Sequence, residues 1–180
     1  DWSSDVCSSG SSIGSEIARK AKAFDMKVIG LKRTPCQMKY FDEVWGIDNL
    51  DYLLSIGDYI VLAIPLTKET YGLIGRYELK KMKQNSVFIN ISRGGTVDEQ
   101  ALIDALKCGQ IAGAALDVFH REPLPSESPL WGMDNVIITP HSAGSTPFYM
   151  MRAMHIFADE IMRYRRGLPL ANLIDINLGY

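Results

Sequence analysis

The sequence has no long hydrophobic segment and almost no net charge. Its longest apolar run is the eight residues 59–66, far short of the roughly 20 residues that cross a bilayer. The 19 Lys and Arg residues nearly balance the 21 Asp and Glu residues, which leaves a net charge of −2. That charge provides no electrostatic attraction to nucleic acid or an anionic membrane, so we expect neither as a partner.

Cysteine is scarce as well. The three cysteines, Cys7, Cys36 and Cys108, have neither paired nor metal-like spacing, and no signal peptide is visible. Cysteines spaced in this way favour the reducing cytoplasm and argue against a structural metal. The 180 residues, 47% of them hydrophobic, suffice for one domain with a substantial core.

Three apolar runs of strand length are each followed by polar residues. They cover residues 86–91, 112–118 and 136–139, and they are continuous rather than alternating. Continuous runs are typical of strands buried on both faces of a parallel sheet. Arg93, Glu122 and His141 follow them in turn. Because neighbouring parallel strands end at one crevice, we expect these side chains to converge if the runs are adjacent strands.

This trio suits the reduction of a 2-keto acid. The planar donors of an arginine fit a carboxylate, and a carboxylate beside a histidine favours the imidazolium, a proton donor near neutral pH. We predict that Arg93 binds the substrate and that His141 protonates the forming alkoxide. Glu122 would orient His141 and favour its charged form.

The same segments resemble the D-isomer-specific 2-hydroxyacid dehydrogenases. The matching blocks are residues 90–99 (NISRGGTVDE), 113–119 (GAALDVF) followed by Glu122 and Pro123, and 139–144 (TPHSAG). The resemblance implies an α/β Rossmann-type fold with a doubly wound parallel sheet. It also implies an NAD(P)-dependent oxidoreductase, commonly a homodimer, that transfers a hydride between nicotinamide and a small D-2-hydroxy acid or 2-keto acid. Glyoxylate and hydroxypyruvate reductases are examples, and the catalytic roles of Arg93, Glu122 and His141 agree with those derived above.

The resemblance further implies a cofactor site along the same edge of the sheet. NAD enzymes carry an acidic residue after the second strand, whereas this chain has Lys32 and Arg33 there. Cations suit the 2′-phosphate of NADP, so NADP is favoured over NAD, and a solvated basic turn is the alternative. The predicted cofactor contacts are Ile13, Gly14, Lys32, Arg33, Ile64, Pro65, Thr70, Ile91, Ser92, Arg93, Asp117, His141, Ala143 and Gly144.

The first twelve residues lack the apolar strand and the glycines with which such a fold begins. If Gly14 ends the Gly-x-Gly-x-x-Gly motif, the first two glycines are replaced by Ser9 and Ser11. We interpret residues 1–12 as a non-native segment, with a serine-rich disordered tail as the alternative. Residues 13–166 then form the dinucleotide-binding domain, with its first strand replaced or missing, and residues 167–180 a C-terminal segment. An inactive fragment and a dinucleotide-binding, corepressor-like module remain alternative functions.

Several residues have competing interpretations. Thr70 lies near the cofactor phosphates or caps a helix, and Asp117 reaches the nicotinamide carboxamide. Thr96 and Asp98 are both plausible caps for a helix over residues 99–107, so we expect a structural role for Asp98. We expect Gly94 and Gly95 to let the backbone approach the nicotinamide. A long helix capped at Ser145 or Thr146 is predicted to place its Met and aromatic side chains in the core. These side chains are Met150, Met151, Met154, Phe157 and Met162.

Overall fold

The computed structural model describes residues 12–173. Except for Ser12, the predicted non-native segment lies outside these residues, and with it Ser9 and Ser11 of the altered glycine motif. The end of the C-terminal segment also lies outside them. The described helices are α1 (Ser12–Lys22), α2 (Leu50–Ile56), α3 (Arg76–Lys81), α4 (Glu99–Lys107) and α5 (Tyr149–Arg165). The described strands are β1 (Ile29–Lys32), β2 (Glu43–Gly46), β3 (Tyr59–Leu62), β4 (Val87–Asn90), β5 (Gly113–Leu116) and β6 (Val136–Ile138).

Within residues 12–173 all strand pairings are parallel, and the strands fall into two sheets. β1 pairs with β2, and the other sheet has the order β3-β4-β5-β6. Between residues 12 and 173 no strand joins β1 to β3, the position that the first strand takes in a doubly wound order. The parallel pairings and the helices between the strands confirm the predicted α/β fold with a parallel sheet.

The four-stranded sheet forms the centre of the core. Phe88 of β4 is fully buried and belongs to one hydrophobic cluster with Leu54 of α2, Leu79 of α3 and Leu102 of α4. Each of these helices presents one apolar face to the sheet, as amphipathic helices in layered folds do. The loops at the carboxyl edge of the sheet therefore rest on a rigid, packed platform.

Helix α4 begins and ends as the sequence predicts. The carboxylate of Asp98 accepts the backbone N–H of Ala101 at 3.0 Å, and Gly109 follows the helix with a φ of 68°. Glycine adopts this left-handed conformation without the steric cost of a Cβ atom. The helix-capping role of Asp98 is confirmed.

Helix α5 departs from the prediction. The five Met and Phe side chains expected in the core are 44–66% exposed, and no residue of α5 is buried. The cap prediction is also wrong, because α5 begins at Tyr149 and its N-cap residue Phe148 makes no side-chain cap hydrogen bond. Apolar spacing indicates a face that favours burial, but it does not specify an element that covers it.

No helix within residues 12–173 is long and apolar enough to cross a membrane.

Candidate active site

Three adjacent strands bring the predicted catalytic residues to one edge of the sheet. In the parallel register Asn90 of β4 pairs with Leu116 of β5, and Leu116 pairs with Ile138 of β6. Each strand therefore ends level with its neighbour. The prediction that the three apolar runs are adjacent strands is confirmed, and the loops after them carry Arg93, Glu122 and His141.

Glu122 and His141 form a hydrogen-bonded pair. Nδ1 of His141 lies 2.7 Å from Oε2 of Glu122, while Oε1 of Glu122 accepts the backbone N–H of Phe119 at 3.0 Å. The carboxylate is thus held through both oxygens, and it engages only one ring nitrogen. Nε2 of His141 remains available for a substrate, and the imidazole side chain is 43% exposed.

The surroundings favour the charged form of Glu122. Burial, the largest single influence, raises the pKa of this carboxyl group. The hydrogen bonds from His141 and from the N–H of Phe119, together with the charges of His141 and Arg93, outweigh burial and hold the pKa below its usual range. Glu122 is therefore ionised at neutral pH, and its Oε2 faces Nδ1 of His141.

Arg93 is exposed beside this pair and rests on a buried polar network. The hydroxyl of Thr96 donates to the carbonyl of Arg93 at 2.7 Å. The N–H and the hydroxyl of Ser92 both donate to Oδ1 of Asn90, at 3.0 and 2.8 Å. Asn90 and Thr96 are at most 2% exposed, so the backbone that carries Arg93 is tightly held. The sequence prediction assigned no role to Asn90, although a polar residue inside an apolar run was the available signal.

Gly94 joins the arginine loop to the glutamate loop. A Cβ atom at Gly94 would overlap the carbonyl group of Phe119 and lie 2.5 Å from the backbone nitrogen of His120. The close approach that Gly94 permits within the protein is therefore to the Phe119–His120 peptide, and its approach to the nicotinamide stays a prediction. Gly95 likewise faces a protein side chain, since a Cβ atom there would lie 3.2 Å from Leu66. Arg93 and Glu122 are thus coupled through backbone contact between their loops.

Asp117 anchors the loop that carries His141. Its Oδ1 accepts the hydroxyl of Thr139 at 2.5 Å and the N–H of Ser142 at 2.9 Å, and its Oδ2 accepts the N–H of Ala143 at 3.0 Å. His141 lies between these anchors with a φ of 51°, a left-handed conformation that is strained for a residue with a side chain. The hydrogen bonds to Asp117 offset that strain. These hydrogen bonds use both oxygens of the Asp117 carboxylate. The contact of Asp117 with the nicotinamide carboxamide, which the family resemblance implies, stays a prediction.

These hydrogen bonds also keep Asp117 charged. Burial acts most strongly and raises the pKa of the carboxyl group. The hydrogen bonds from Thr139, Ala143 and Ser142 and the charge of His141 together lower the pKa below its usual value. The contribution of charged Asp117 to the free energy of unfolding is therefore fully present above the unfolded-state pKa, near 4. This contribution is lost as the pH falls through the lower folded-state pKa.

We expect Asp117→Asn to lower the free energy of unfolding at pH 7 by about 2 kcal/mol, the scale of a lost hydrogen bond to a charged group. The new amide nitrogen would face the N–H of Ala143, a contact between two donors. Urea unfolding at pH 7 and near pH 3 measures the effect, and the difference from the original chain should shrink at the lower pH. Asp134→Asn, at an exposed aspartate, is the matched control. Equal stability of the two variants at pH 7 would contradict the anchoring role.

The end of β1 offers a cationic site. Lys32 is the last residue of β1 and Arg33 follows it, with Nη2 of Arg33 2.8 Å from Oε2 of Glu69. Two cations in succession fit the anionic phosphate of a dinucleotide better than a neutral ribose, so the donor set is compatible with NADP. In residues 12–173 no group of three His, Cys, Asp or Glu side chains could hold a metal ion.

The loop after β3 is stabilised by its own threonines. Thr70 donates its hydroxyl to the carbonyl of Pro65 at 2.7 Å and accepts the N–H of Thr67 at 2.8 Å. Thr70 does not cap a helix, because the residues around it form a turn. Its hydroxyl supports the loop of Ile64 and Pro65, so the predicted contact with the cofactor phosphates stays untested.

The remaining predicted cofactor residues lie at element ends. Ile13 and Gly14 are in the first turn of α1, and Ile91 directly follows β4. Ser92 turns its hydroxyl into the buried network, and Ala143 gives its N–H to Asp117. Gly144 is exposed. The structure thus gathers Ile91, Ser92, Arg93, Asp117, His141, Ala143 and Gly144 at the ends of β4, β5 and β6 and places Lys32 and Arg33 at the end of β1. Their ligand contacts remain predictions.

Residues 8–143 match the family model described as D-isomer specific 2-hydroxyacid dehydrogenase, NAD binding domain. Among curated relatives, D-3-phosphoglycerate dehydrogenase of Archaeoglobus fulgidus is 40% identical over 166 residues, which cover 91% of this chain and 31% of the relative. Glyoxylate reductase of Korarchaeum cryptofilum is 38% identical over 165 residues, which cover 91% of this chain and 49% of the relative. The chain therefore spans about a third to a half of these relatives.

Solved structures agree with the sequence comparisons. The NADPH-dependent glyoxylate/hydroxypyruvate reductase of Sinorhizobium meliloti, in complex with NADP and sulfate, has a TM-score of 0.86 and 37% identity, and the match covers 93% of this chain and 54% of that one. A D-isomer specific 2-hydroxyacid dehydrogenase of Xanthobacter autotrophicus, in complex with NADPH and MES, has a TM-score of 0.85 and 38% identity, with 91% and 66% of the two chains covered.

Proposed function

The chain belongs to the D-isomer-specific 2-hydroxyacid dehydrogenase family, and we propose that residues 13–166 form the NAD(P)-binding domain of an oxidoreductase. The enzyme transfers a hydride between nicotinamide and a small D-2-hydroxy acid or 2-keto acid. The hydrogen-bonded pair of Glu122 and His141 beside Arg93 carries this proposal, because these groups supply a proton and a cation at one edge of the sheet.

Arg93, Glu122 and His141 have different roles in the reduction of a keto acid. The guanidinium of Arg93 binds the substrate carboxylate and orients its carbonyl group. A bound nicotinamide supplies the hydride that C2 of the substrate receives. Nε2 of His141 gives its proton to the carbonyl oxygen, which becomes the hydroxyl of the product. Glu122 holds Nδ1 and stabilises the imidazolium before transfer, and oxidation of the alcohol reverses these steps.

Glyoxylate and hydroxypyruvate are the substrates that we propose. The names of the Korarchaeum cryptofilum and Sinorhizobium meliloti proteins support this choice, and the exposed guanidinium of Arg93 offers a partner for the carboxylate of a small keto acid. NADP is the proposed cofactor ahead of NAD. Two observations support it, the succession of Lys32 and Arg33 at the end of β1 and the NADP and NADPH named for the two solved relatives.

The proposal includes a homodimer in the cytoplasm. No disulfide joins the cysteines of residues 12–173, which is compatible with a reducing compartment. Light scattering of the purified chain measures the oligomeric state directly, and a strictly monomeric protein would contradict the dimer.

Titration of the 180-residue chain with NADPH and with NADH tests the cofactor assignment. We expect NADPH to bind at least about tenfold more tightly, because one additional ion pair in a partly desolvated site contributes on the order of 1.4 kcal/mol. The fluorescence of the reduced nicotinamide reports the binding of both ligands. Preference for NADH would overturn the choice of NADP, and binding of neither would overturn the proposed domain function.

A further inference from the structure

The turn after β3 contacts the end of β1 through one ion pair. Nη2 of Arg33 and Oε2 of Glu69 lie 2.8 Å apart, and the two side chains are 49% and 73% exposed. An exposed pair of this kind contributes little to the stability of the fold. Its main consequence is local, since it orients the guanidinium that is proposed to face the cofactor and places a carboxylate beside it.

The position of Glu69 is determined by the turn itself. The hydroxyl of Thr67 accepts the backbone N–H groups of Glu69 and Thr70, each at 3.2 Å. Thr70 in turn donates its hydroxyl to the carbonyl of Pro65. These hydrogen bonds are short-range and independent of Arg33, so the turn presents the Glu69 backbone towards β1 whether or not a ligand is bound.

We propose that Glu69 is a specificity-determining residue that weakens the binding of a 2′-phosphate by competing for Arg33. The inference rests on the proposed function, because it requires an adenosine phosphate at the end of β1. A carboxylate and a phosphate seek the same donor fork of the guanidinium. A phosphate that binds Arg33 must displace Glu69 or accept it as a neighbouring negative charge, and either costs free energy.

Removing this charge tightens the binding of ligands that carry a 2′-phosphate. Glu69→Gln keeps the side-chain length and an oxygen acceptor but loses the negative charge. We expect the affinity for such ligands to rise about two- to fivefold, the range that corresponds to an exposed ion pair. The gain should shrink at high ionic strength, because salt screens exposed charges.

The test uses the 180-residue chain and the small probes 2′,5′-ADP and 5′-AMP. These probes report on the adenosine end without the nicotinamide, and calorimetry or NMR titration gives their dissociation constants. The variants are Glu69→Gln, Arg33→Gln and the double variant, with Glu127→Gln as a control that removes the same charge from the segment between β5 and β6. We expect Glu69→Gln to tighten 2′,5′-ADP alone, and Arg33→Gln to weaken that probe and reduce the gain in the double variant.

The outcomes separate this inference from the proposed function. If the original chain prefers 2′,5′-ADP but Glu69→Gln leaves its affinity unchanged or lowers it, the role of Glu69 is overturned and the cofactor assignment stands. An equal gain for 5′-AMP, or the same gain in Glu127→Gln, also overturns it, since the effect would then be one of general charge. If the original chain shows no preference for 2′,5′-ADP, both the choice of NADP and this inference fail.

Discussion

Replacing His141 by alanine is expected to lower kcat at least about 100-fold, the usual scale for the loss of a positioned acid or base. This corresponds to about 2.7 kcal/mol in the barrier. The reason lies in the geometry, because Glu122 holds Nδ1 at 2.7 Å and leaves Nε2 as the proton donor to the substrate. KM should change much less, since Arg93 still binds the carboxylate.

The measurement needs a complete enzyme. A fusion in which the N-terminal part of the Korarchaeum cryptofilum glyoxylate reductase precedes residue 13 supplies the part of that relative that this chain does not span. Consumption of NADPH with glyoxylate gives kcat and KM. His155→Ala, at an exposed histidine of α5, is the control and should leave both unchanged. An unchanged kcat in the His141→Ala variant would contradict the assignment of His141 as the acid and base.

Replacing Gly94 by alanine is expected to lower the free energy of unfolding by about 2 to 3 kcal/mol, at the upper end of the cost of overpacking a well-filled site. The added Cβ atom meets backbone atoms of Phe119 and His120, which cannot rotate away as a side chain would. The arginine loop and the glutamate loop must then separate, so the pair of Glu122 and His141 should be disturbed together with stability.

Urea unfolding of the 180-residue chain measures the loss, and the imidazole NMR signals of His141 report the disturbance of the pair. Gly132→Ala is the matched control, because a Cβ atom at Gly132 would meet nothing within 4 Å. We expect the control to stay within about 0.5 kcal/mol of the original chain, as surface substitutions usually do. A Gly94→Ala protein of unchanged stability would show that the two loops are not in obligatory contact.

The sequence by itself determined the fold class and the polar side chains that meet at the edge of the sheet. Continuous apolar runs identify buried parallel strands, and such strands bring their carboxyl ends together by geometry alone. The sequence alone therefore places Arg93, Glu122 and His141 in one site, although Glu122 and His141 are 19 positions apart along the chain. The N-terminal cap of α4 can also be predicted from the sequence, because it depends on Asp98 and its immediate neighbours.

Only the tertiary structure decided how the site is supported. The loop partners of Asp117, the contact between Gly94 and the Phe119–His120 peptide, and the pair of Arg33 and Glu69 all join segments that are distant in sequence. No local pattern encodes such contacts, since they depend on how the loops cross at the edge of the sheet. The exposed face of α5 shows the same limit: apolar periodicity reveals that a surface favours burial, but burial itself requires a packing partner.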